Sequence, residues 1–162
     1  MLTRRMALSG LAAIASANLL ANSFARAQEA HIVRTDADWR STLTPDQYAV
    51  LRKEGTERPF TSPLLHETRN GVFSCAGCDL PNFSSKTKFD SGTGWPSFWA
   101  PIDDAVKETD DTSFFMSRTA VSCRRCDGHL GHVFKDGPPP TGLRYCMNGV
   151  ALKFAPTPVS NG

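Results

Sequence analysis

The stretch CRRCDGHLGHVF, residues 123–134, places a cysteine pair, a turn and two histidines close together. The same Cys-x-x-Cys spacing occurs upstream in CAGCD, residues 75–79. Tight turns use this spacing to aim two sulfurs at one point, and the Gly and Asp residues in both stretches are typical turn formers. Two such turns can form a closed tetrahedral thiolate site. We therefore predict a structural Zn²⁺ ion bound by Cys75, Cys78, Cys123 and Cys126.

Two other interpretations of the cysteine pairs stay open at this point. In an oxidising compartment each pair could form a local disulfide. A thioredoxin-like redox motif would need a βαβ pattern, and neither pair is surrounded by one.

The 44 residues between the pairs exceed the usual zinc-ribbon gap, so a shared metal would tie two distant hairpins together. Four thiolates leave no open coordination position, so that metal would hold the fold and take no part in chemistry.

The first residues of the chain have the layout of an export signal. Arg4 and Arg5 precede an apolar run over about residues 8–20, and Ala25-Arg26-Ala27 is a small-x-small cleavage site. We predict a signal peptide over residues 1–27, with the arginine pair favouring the twin-arginine route to the periplasm. An ordinary secretory signal or an N-terminal anchor is the alternative. The run is short and rich in Ala and Ser for a membrane span, so no stable insertion is expected after cleavage.

The remaining chain is predicted to be one nearly neutral domain. The whole sequence carries a net charge of +2, of which the predicted signal supplies three arginines and no acid, leaving about −1. Such a chain lacks the basic surface of a nucleic-acid or anionic-lipid binder. We divide it into an N-terminal linker over 28–44, a domain over 45–155 and a flexible tail over 156–162.

The pattern predicts a mainly β fold with one short N-terminal helix. The helix begins at Pro45, with Thr44 as N-cap, Gln47 completing a capping box and Gly55 ending it. No long helical pattern follows.

Segments rich in β-branched and aromatic residues and bounded by Gly, Pro or Asp predict strands over 71–75, 113–123 and 142–154. Residues 84–104, rich in Gly, Ser and Pro, predict a long ordered loop with short strands. Consecutive prolines make 136–142 a loop, and the tail from Ala155 is expected to fray.

The stretch LRYCMNG, residues 143–149, holds the fifth cysteine, which has no partner by spacing. In a strand Arg144, Cys146 and Asn148 would share one face. An arginine favours the thiolate form of a neighbouring cysteine, and an amide can hydrogen-bond a polar substrate group. A lone cysteine is more often a buried structural residue, but such a residue does not usually share its face with Arg and Asn. Cys146 is therefore a candidate reactive thiol.

Three further residues are candidates for the same site or for plain structural roles. His129, His132 and Asp136 suggest proton handling beside a nucleophile, although a second metal site or surface turns would also use them. In a regular strand the two histidines would point to opposite faces, so they share a site only if Gly131 lets the chain bend or bulge.

Trp95 stands between Gly94 and Pro96 in SGTGWPSFW. On a rigid loop it would make a wall for an apolar ligand group, and a plain packing role is the alternative.

Together these residues resemble the B-type methionine-R-sulfoxide reductases. The resemblance runs from about Pro45 to Phe154 and rests on GTERPFTSPL, CAGC, KFDSGTGWPSFWAPI and CRRCDGHLGHVFKDGPPPTGLRYCMNGVALKF in this order. It implies a small fold of two antiparallel sheets, with the zinc site opposite the active site. It also implies a repair enzyme that reduces methionine R-sulfoxide in peptides and proteins.

The resemblance implies a role for each candidate. Cys146 would be the nucleophile that attacks the sulfoxide sulfur and becomes a sulfenic acid. His129 and His132 would lie by the sulfoxide oxygen and assist its protonation, with Asp136 supporting them.

The remaining roles concern the thiolate and the substrate. Arg144 would help hold the thiolate, Asn148 would help orient the site, and Trp95 would pack against the substrate's methyl group.

One position departs from the pattern of many family members. They carry a second cysteine two residues before the tryptophan, and here that position is Thr93. With four cysteines on zinc, we expect a one-cysteine enzyme whose sulfenic acid is reduced by an external thioredoxin-like protein or small thiol. We also expect a monomer. The alternative is a non-catalytic, zinc-stabilised β module that binds a ligand, which would have no need of Cys146 beside Arg144.

Overall fold

A computed structural model describes residues 31–111 and 118–158. The predicted signal peptide lies outside the described residues. The strands in the described part are β1 (Gly71–Cys75), β2 (Pro81–Ser84), β3 (Lys88–Phe89), β4 (Ser97–Phe98), β5 (Val106–Asp111), β6 (Arg118–Cys123), β7 (His129–Phe134), β8 (Arg144–Met147) and β9 (Leu152–Pro156). The helices are α1 (Asp36–Thr42) and α2 (Pro45–Lys53).

The strands form two antiparallel sheets, which confirms the predicted mainly β fold. One sheet has the order β2-β1-β9, and the other has the order β3-β4-β8-β7-β6-β5. Within the larger sheet, β8 lies between β4 and β7. This position brings residues from three distant parts of the sequence side by side around Cys146.

The two helices differ in part from the single helix that was predicted. Helix α2 begins at Pro45 as expected, with Thr44 and Gln47 forming the capping box. It ends before Glu54, which adopts the left-handed conformation one residue before the predicted stop at Gly55. Helix α1 lies within the predicted linker, where Thr35 and Asp38 form a second capping box. Seven residues are too few for a clear helical period, so this helix was missed.

The segment 142–154, predicted as one strand, is two strands in different sheets. Strand β8 ends at Met147, a short 3₁₀ turn spans Gly149–Ala151, and β9 then joins the smaller sheet. The last strand extends to Pro156, so the predicted fraying from Ala155 is wrong at its start. Pairing with β1 explains this, since Ala155 lies opposite Val72 in the ladder.

The other strand and loop predictions are confirmed within the described residues. Strand β1 spans the predicted segment 71–75, and β3 and β4 are the short strands expected in the loop 84–104. Strand β6 begins at Arg118, and the first part of the predicted strand 113–123 lies outside the described residues.

An aromatic cluster fills the space between the sheets. Phe73, Phe83 and Phe98 are fully buried, and the Phe83 and Phe98 rings stack with centroids 4.5 Å apart. Phe73 meets Phe98 edge to face at 5.0 Å. Burial of each ring stabilises the fold by roughly 2–3 kcal/mol. The cluster fixes the two sheets against each other and thereby fixes the strands that carry the candidate site.

None of the helices in residues 31–111 and 118–158 is long and apolar enough to cross a membrane.

Candidate active site and candidate metal centre

The two Cys-x-x-Cys turns have the same backbone geometry. In each, the first cysteine donates its N–H to the carbonyl five residues on at 2.8 Å, and its own carbonyl accepts from the N–H four residues on at 2.9 Å. Asp79 and Asp127, which follow the second cysteines, both adopt positive φ angles, 62° and 55°. Asp tolerates this conformation better than most residues. The local sequence thus dictates both turns.

The four sulfurs converge on one point, as predicted. Their Sγ atoms all lie within 4.8 Å of one another. Cys75 Sγ is 3.7 Å from Cys126 Sγ, and Cys78 Sγ is 3.5 Å from Cys123 Sγ. Metal–sulfur bonds of about 2.3 Å in a tetrahedron give edges of about 3.8 Å. The cluster therefore fits a tetrahedral metal ion.

The state of the sulfurs agrees with a metal site better than with local disulfides. None of the five cysteines, all of which lie in the described residues, takes part in a disulfide. Within the cluster, the hydrogen bond with Cys123 raises the pKa of Cys75, and the hydrogen bond with Cys126 lowers the pKa of Cys123. The crowded sulfurs cannot all ionise together unless a cation offsets their charge.

The two helices cover the cluster, which the sequence did not indicate. Trp39 of α1 and Leu51 of α2 are 3% and 2% exposed. A Cβ atom placed on Gly77 would lie 3.5 Å from the Trp39 ring and 3.6 Å from Leu51 Cδ1. Arg52 donates to the carbonyl oxygen of Cys126 at 2.8 Å. The helices therefore shield the sulfurs from solvent.

Cys146 lies in the middle of β8, between two neighbouring strands. Its backbone is opposite Ser97 of β4 on one side and His132 of β7 on the other. Directly paired residues project from the same face of a sheet, so these three side chains lie in a row. A Cβ atom on Gly131 would lie 2.2 Å from the Cys146 carbonyl oxygen. Glycine there allows the β7 backbone to approach the cysteine.

A β-bulge brings His129 to the same face as His132. Val121 pairs with Gly131, whereas Ser122 pairs with His129, so Leu130 is the extra residue. The extra residue changes the alternation of side chains between the faces of the strand. The two imidazole rings lie 5.2 Å apart in an edge-to-face arrangement. The condition that the sequence left open is therefore met.

His129 is a buried, neutral imidazole. It is 5% exposed, and burial, with a smaller effect of His132, lowers the pKa of His129 to about 4. Its Nε2 atom is buried and has no hydrogen-bond partner among the described side chains and backbone. A buried polar atom in this state is costly to the fold unless a ligand satisfies it.

His132 is paired with an acid that the sequence did not identify. Its Nε2 lies 3.0 Å from Asp111 Oδ2, and the same carboxylate oxygen accepts from Arg118 at 3.0 Å. Asp111 ends β5 and Arg118 begins β6, and β5 is separated from the Cys146 strand by β6 and β7. Only the register of the sheet brings these residues together. The run of acids that ends at Asp111 did not indicate this contact.

Asp136 contacts Arg144 and holds it beside the cysteine. Both carboxylate oxygens accept from the guanidinium, at 2.9 and 2.8 Å, and this pair lowers the pKa of Asp136. The guanidinium also stacks on Phe134 at 4.4 Å and interacts with Cys146. The hydrogen bonds of Asp136 go to Arg144, and support of the histidines by Asp136 stays a prediction.

Asn148 directly follows the last residue of β8 and is 3% exposed. Its Nδ2 donates to the Leu130 carbonyl at 3.1 Å, and its Oδ1 accepts from the Glu57 N–H at 2.9 Å. The amide thus secures the bulge that orients the histidines.

Glu57 links the chain after β8 to the tryptophan. Its carboxylate accepts from the N–H groups of Gly149 and Val150 at 2.5 and 2.9 Å. Its backbone carbonyl accepts from Trp95 Nε1 at 3.1 Å. The polar edge of this half-buried indole is therefore fixed, while part of its apolar face remains open. No pattern in the sequence pointed to Glu57, because its partners lie far away in the chain.

A row of hydroxyl groups ends at the cysteine. Ser91 Oγ lies 2.7 Å from Ser97 Oγ and 2.8 Å from Thr93 Oγ1. Thr93 Oγ1 in turn lies 3.7 Å from Cys146 Sγ. A threonine hydroxyl can donate to sulfur, so this contact places a hydrogen-bonding group beside Cys146.

Comparison with known proteins finds similar sequences and one similar solved structure. A family model described as the SelR domain matches residues 43–156. A protein of Pseudomonas putida (strain W619) named peptide methionine sulfoxide reductase MsrB is 61% identical over 126 residues, which cover 77% of this chain and 95% of that protein. A protein of the same name from Agrobacterium fabrum is 56% identical over 124 residues, covering 76% and 92%. Among solved structures, the Yippee-like domain of Mis18 matches with a TM-score of 0.45 and 18% identity, over 56% of this chain and 99% of that one.

Proposed function

This chain belongs to the SelR family, the B-type methionine sulfoxide reductases, and from this premise we propose how its own residues reduce methionine R-sulfoxide in peptides and proteins. As a member it is an oxidoreductase that reduces methionine sulfoxide. One observation carries the proposal: Cys146 lies opposite His132 in the sheet, with His129 brought alongside by the bulge at Leu130. A thiol and two imidazoles on one face are what sulfoxide reduction requires.

The Cys146 thiolate is the nucleophile in this proposal. The Arg144 guanidinium and the Thr93 hydroxyl, 3.7 Å from Sγ, both stabilise the negative charge on sulfur. Asp136 acts as a positioning residue, since its two hydrogen bonds and the Phe134 ring hold the guanidinium in one orientation. The thiolate attacks the sulfoxide sulfur and forms an S–S bond to it, and a proton is added to the oxygen. The oxygen then bonds to the cysteine sulfur while the S–O bond of the substrate and the new S–S bond both break, which releases methionine.

The two histidines have different roles toward the sulfoxide oxygen. His132 is the proton donor in this proposal, and the Asp111 carboxylate at 3.0 Å orients its ring. His129 is neutral near pH 7, since its pKa is lowered to about 4, so it serves as a hydrogen-bonding group for the sulfoxide oxygen. Its unsatisfied buried nitrogen supports this role.

Trp95 forms the apolar wall for the substrate's S-methyl group. The hydrogen bond from its Nε1 to the Glu57 carbonyl fixes the plane of the indole. A fixed aromatic face favours one arrangement of methyl, oxygen and lone pair around a chiral sulfur. This geometry supports selection of the R epimer.

The first half-reaction consumes one proton and leaves Cys146 as a sulfenic acid. Methionine sulfur gains two electrons and the cysteine sulfur loses two. Two external thiols then restore Cys146, releasing water and forming a disulfide between themselves. Thr93 occupies the position at which a second cysteine would attack, and the other four cysteines lie in the metal cluster. This supports a one-cysteine enzyme that uses a thioredoxin-like protein or a small thiol.

Zn²⁺ is the metal proposed for the cluster of Cys75, Cys78, Cys123 and Cys126. Four thiolates at the corners of a tetrahedron favour zinc, which when bound would hold the two turns together and provide no open position for substrate. The bound ion would stabilise the fold and leave the chemistry to Cys146.

Export to the periplasm by the twin-arginine route remains our proposal for the location. Arg4, Arg5 and the Ala25–Ala27 site support it. Transport of the folded protein would let the four thiols take up zinc in the reducing cytosol before they meet oxidants. Replacing the signal by one for unfolded export should lower the zinc content, and an unchanged content would count against this route.

The test of the function is an assay on separated R and S epimers of methionine sulfoxide with dithiothreitol as reductant. We expect turnover of the R epimer alone and, in a single turnover without reductant, a sulfenic acid that can be trapped on Cys146. Cys146→Ser should abolish both while the metal content and circular dichroism stay the same. Activity in Cys146→Ser, or an intramolecular disulfide in the wild type, would refute the mechanism.

A further inference from the structure

Phe60 is an exposed aromatic residue in an unfavourable backbone conformation. It is 68% exposed, and Val33 is the other large hydrophobic residue that is this open in the described part of the chain. A single exposed apolar side chain is ordinary by itself. Phe60, however, has φ of 63°, in the left-handed region that bulky side chains rarely adopt. The fold therefore bears a cost to hold this ring outward.

The neighbours of Phe60 hold it at the rim of the proposed active site. Its N–H donates to the Gly94 carbonyl at 2.8 Å. Gly94, with φ of 93°, has no space for a side chain, because a Cβ there would lie 2.9 Å from Phe60 Cε2. On either side of Gly94 lie Thr93, which contacts Cys146, and Trp95. The exposed ring therefore packs directly on the loop that supplies two residues of the site.

We propose that Phe60 binds the side chain next to methionine sulfoxide in a polypeptide substrate and favours an apolar one. This inference rests on the proposed function. A peptide that places its sulfoxide at Cys146 must extend past the rim, where the ring offers an apolar surface continuous with the Trp95 loop. The ring packs on Gly94 with one part and is otherwise exposed, so contact with the substrate would bury apolar surface that the fold leaves open. Phe60 is in this sense a specificity-determining residue.

The experiment compares two peptides that contain methionine R-sulfoxide flanked either by Leu or by Gly. The quantity measured is the ratio of kcat/KM for the Leu-flanked peptide to that for the Gly-flanked peptide, with dithiothreitol as reductant. Phe60→Gly removes the ring and suits the positive φ, and we expect this ratio to fall about tenfold. Phe60→Leu, which keeps an apolar side chain, should have a ratio close to the wild-type value. Val33→Ala, the matched change at the other exposed apolar residue, should leave it as in the wild type.

A thermal melt of the same variants separates binding from packing. Because glycine relieves the backbone strain, Phe60→Gly should melt at or above the wild-type midpoint. An unchanged ratio would overturn the inference, as would a lower midpoint with equal losses on both peptides. If Phe60→Gly changed only the KM for a thioredoxin-type reductant, Phe60 would contact the reductant and not the substrate. That result would also overturn the inference. A wild type that is inactive on both peptides would refute the proposed function itself.

Discussion

The cluster of Cys75, Cys78, Cys123 and Cys126 and the Cys146 site both depend on cysteine, but they are built in different ways. Each half of the cluster is a turn of a few residues, closed by hydrogen bonds within that turn and repeated almost identically at Cys75 and Cys123. The Cys146 site, in contrast, is not formed by any single short segment of the chain. Its residues come from β4, β5, β7 and β8 and from the segment that contains Glu57.

The surroundings of the sulfur atoms also differ between the two regions. The four clustered cysteines are at most 7% exposed and lie under Trp39 and Leu51. Cys146 is partly exposed and has hydroxyl, guanidinium and imidazole groups around it. Burial among other thiols suits a permanent ligand, whereas a polar and open setting suits a nucleophile that must meet substrate and reductant. The comparison predicts that replacing a clustered cysteine unfolds the protein, whereas replacing Cys146 removes activity and leaves the fold intact.

The largest expected effect is that of Cys78→Ser on the fold. Losing one thiolate should release the metal, and apparent binding free energies of about 10–16 kcal/mol for such sites exceed the roughly 5–15 kcal/mol total stability of most domains. We therefore expect a largely unfolded protein by circular dichroism, with less than one metal ion per chain by elemental analysis. Cys146→Ser is the matched control and should keep both signals while losing at least about 10⁴-fold in kcat/KM.

A native circular dichroism spectrum and wild-type activity in metal-free Cys78→Ser would contradict the claim that a metal at the four cysteines holds the fold. Removal of metal from the wild type by a chelator should reproduce the loss of structure, and restoring Zn²⁺ should reverse it. A folded protein after chelation would mean that the helices and sheets hold the turns by themselves.

The next effect is a dependence of stability on pH that arises from His129. Its pKa is lowered from 6.5 to about 4 in the folded state, so the unfolded chain takes up the proton first as the pH falls. The stability from the neutral ring is complete above about pH 6.5 and declines toward pH 4. Between about pH 6.5 and 5 the free energy of unfolding should fall by about 2 kcal/mol, as measured by urea denaturation.

His129→Gln should lack this part of the pH dependence. The variant retains the metal cluster and the other titrating groups, so their contributions cancel in the difference between the two proteins. Parallel stability curves for wild type and variant over this range would show that the ring is protonated or solvated in the folded state.

Asp111→Asn should lower kcat about 30-fold while KM changes little. The amide preserves the shape of the side chain but removes the charge that faces His132 at 3.0 Å. Proton donation in the transition state weakens, whereas binding of the substrate does not depend on the pair. Asp110→Asn, at the neighbouring exposed position of β5, is the control and should retain wild-type kcat. A rise in KM without a change in kcat would exclude a role for Asp111 through His132.

The smallest effect should come from Thr93→Cys, which places a second sulfur close to Cys146. The present Oγ1–Sγ distance of 3.7 Å must shorten to about 2.0 Å for a disulfide, a movement within reach of the loop. After one turnover we expect a disulfide between the introduced thiol and Cys146, seen by mass spectrometry, and turnover with thioredoxin raised a few-fold. Thr93→Val should form only the sulfenic acid. Persistence of the sulfenic acid in Thr93→Cys would show that the two positions do not meet.

Sequence predicted those parts of the site that are set locally. The start of α2 follows from Thr44 and Gln47, and the two turns follow from the cysteine spacing with Asp at the left-handed position. The family resemblance named Cys146 and both histidines as site residues, and the structure brings them together on one face. It named Asp136 as the acid for the histidines and did not identify Asp111, because the contact of Asp111 with His132 depends on the register of three strands.

What the sequence by itself determined is a cluster of four cysteines that could bind a metal, a mainly β fold and a single cysteine outside the cluster. Caps, turns and side-chain alternation are interactions over a few residues, so they can be read along the chain. Only the tertiary structure decided that the bulge at Leu130 turns His129 toward His132, and that Asp111 pairs with His132. The same holds for Glu57, which ties Trp95 to the end of β8. These contacts depend on strand register and on the order β4-β8-β7-β6-β5, which is set by the packing of the whole core.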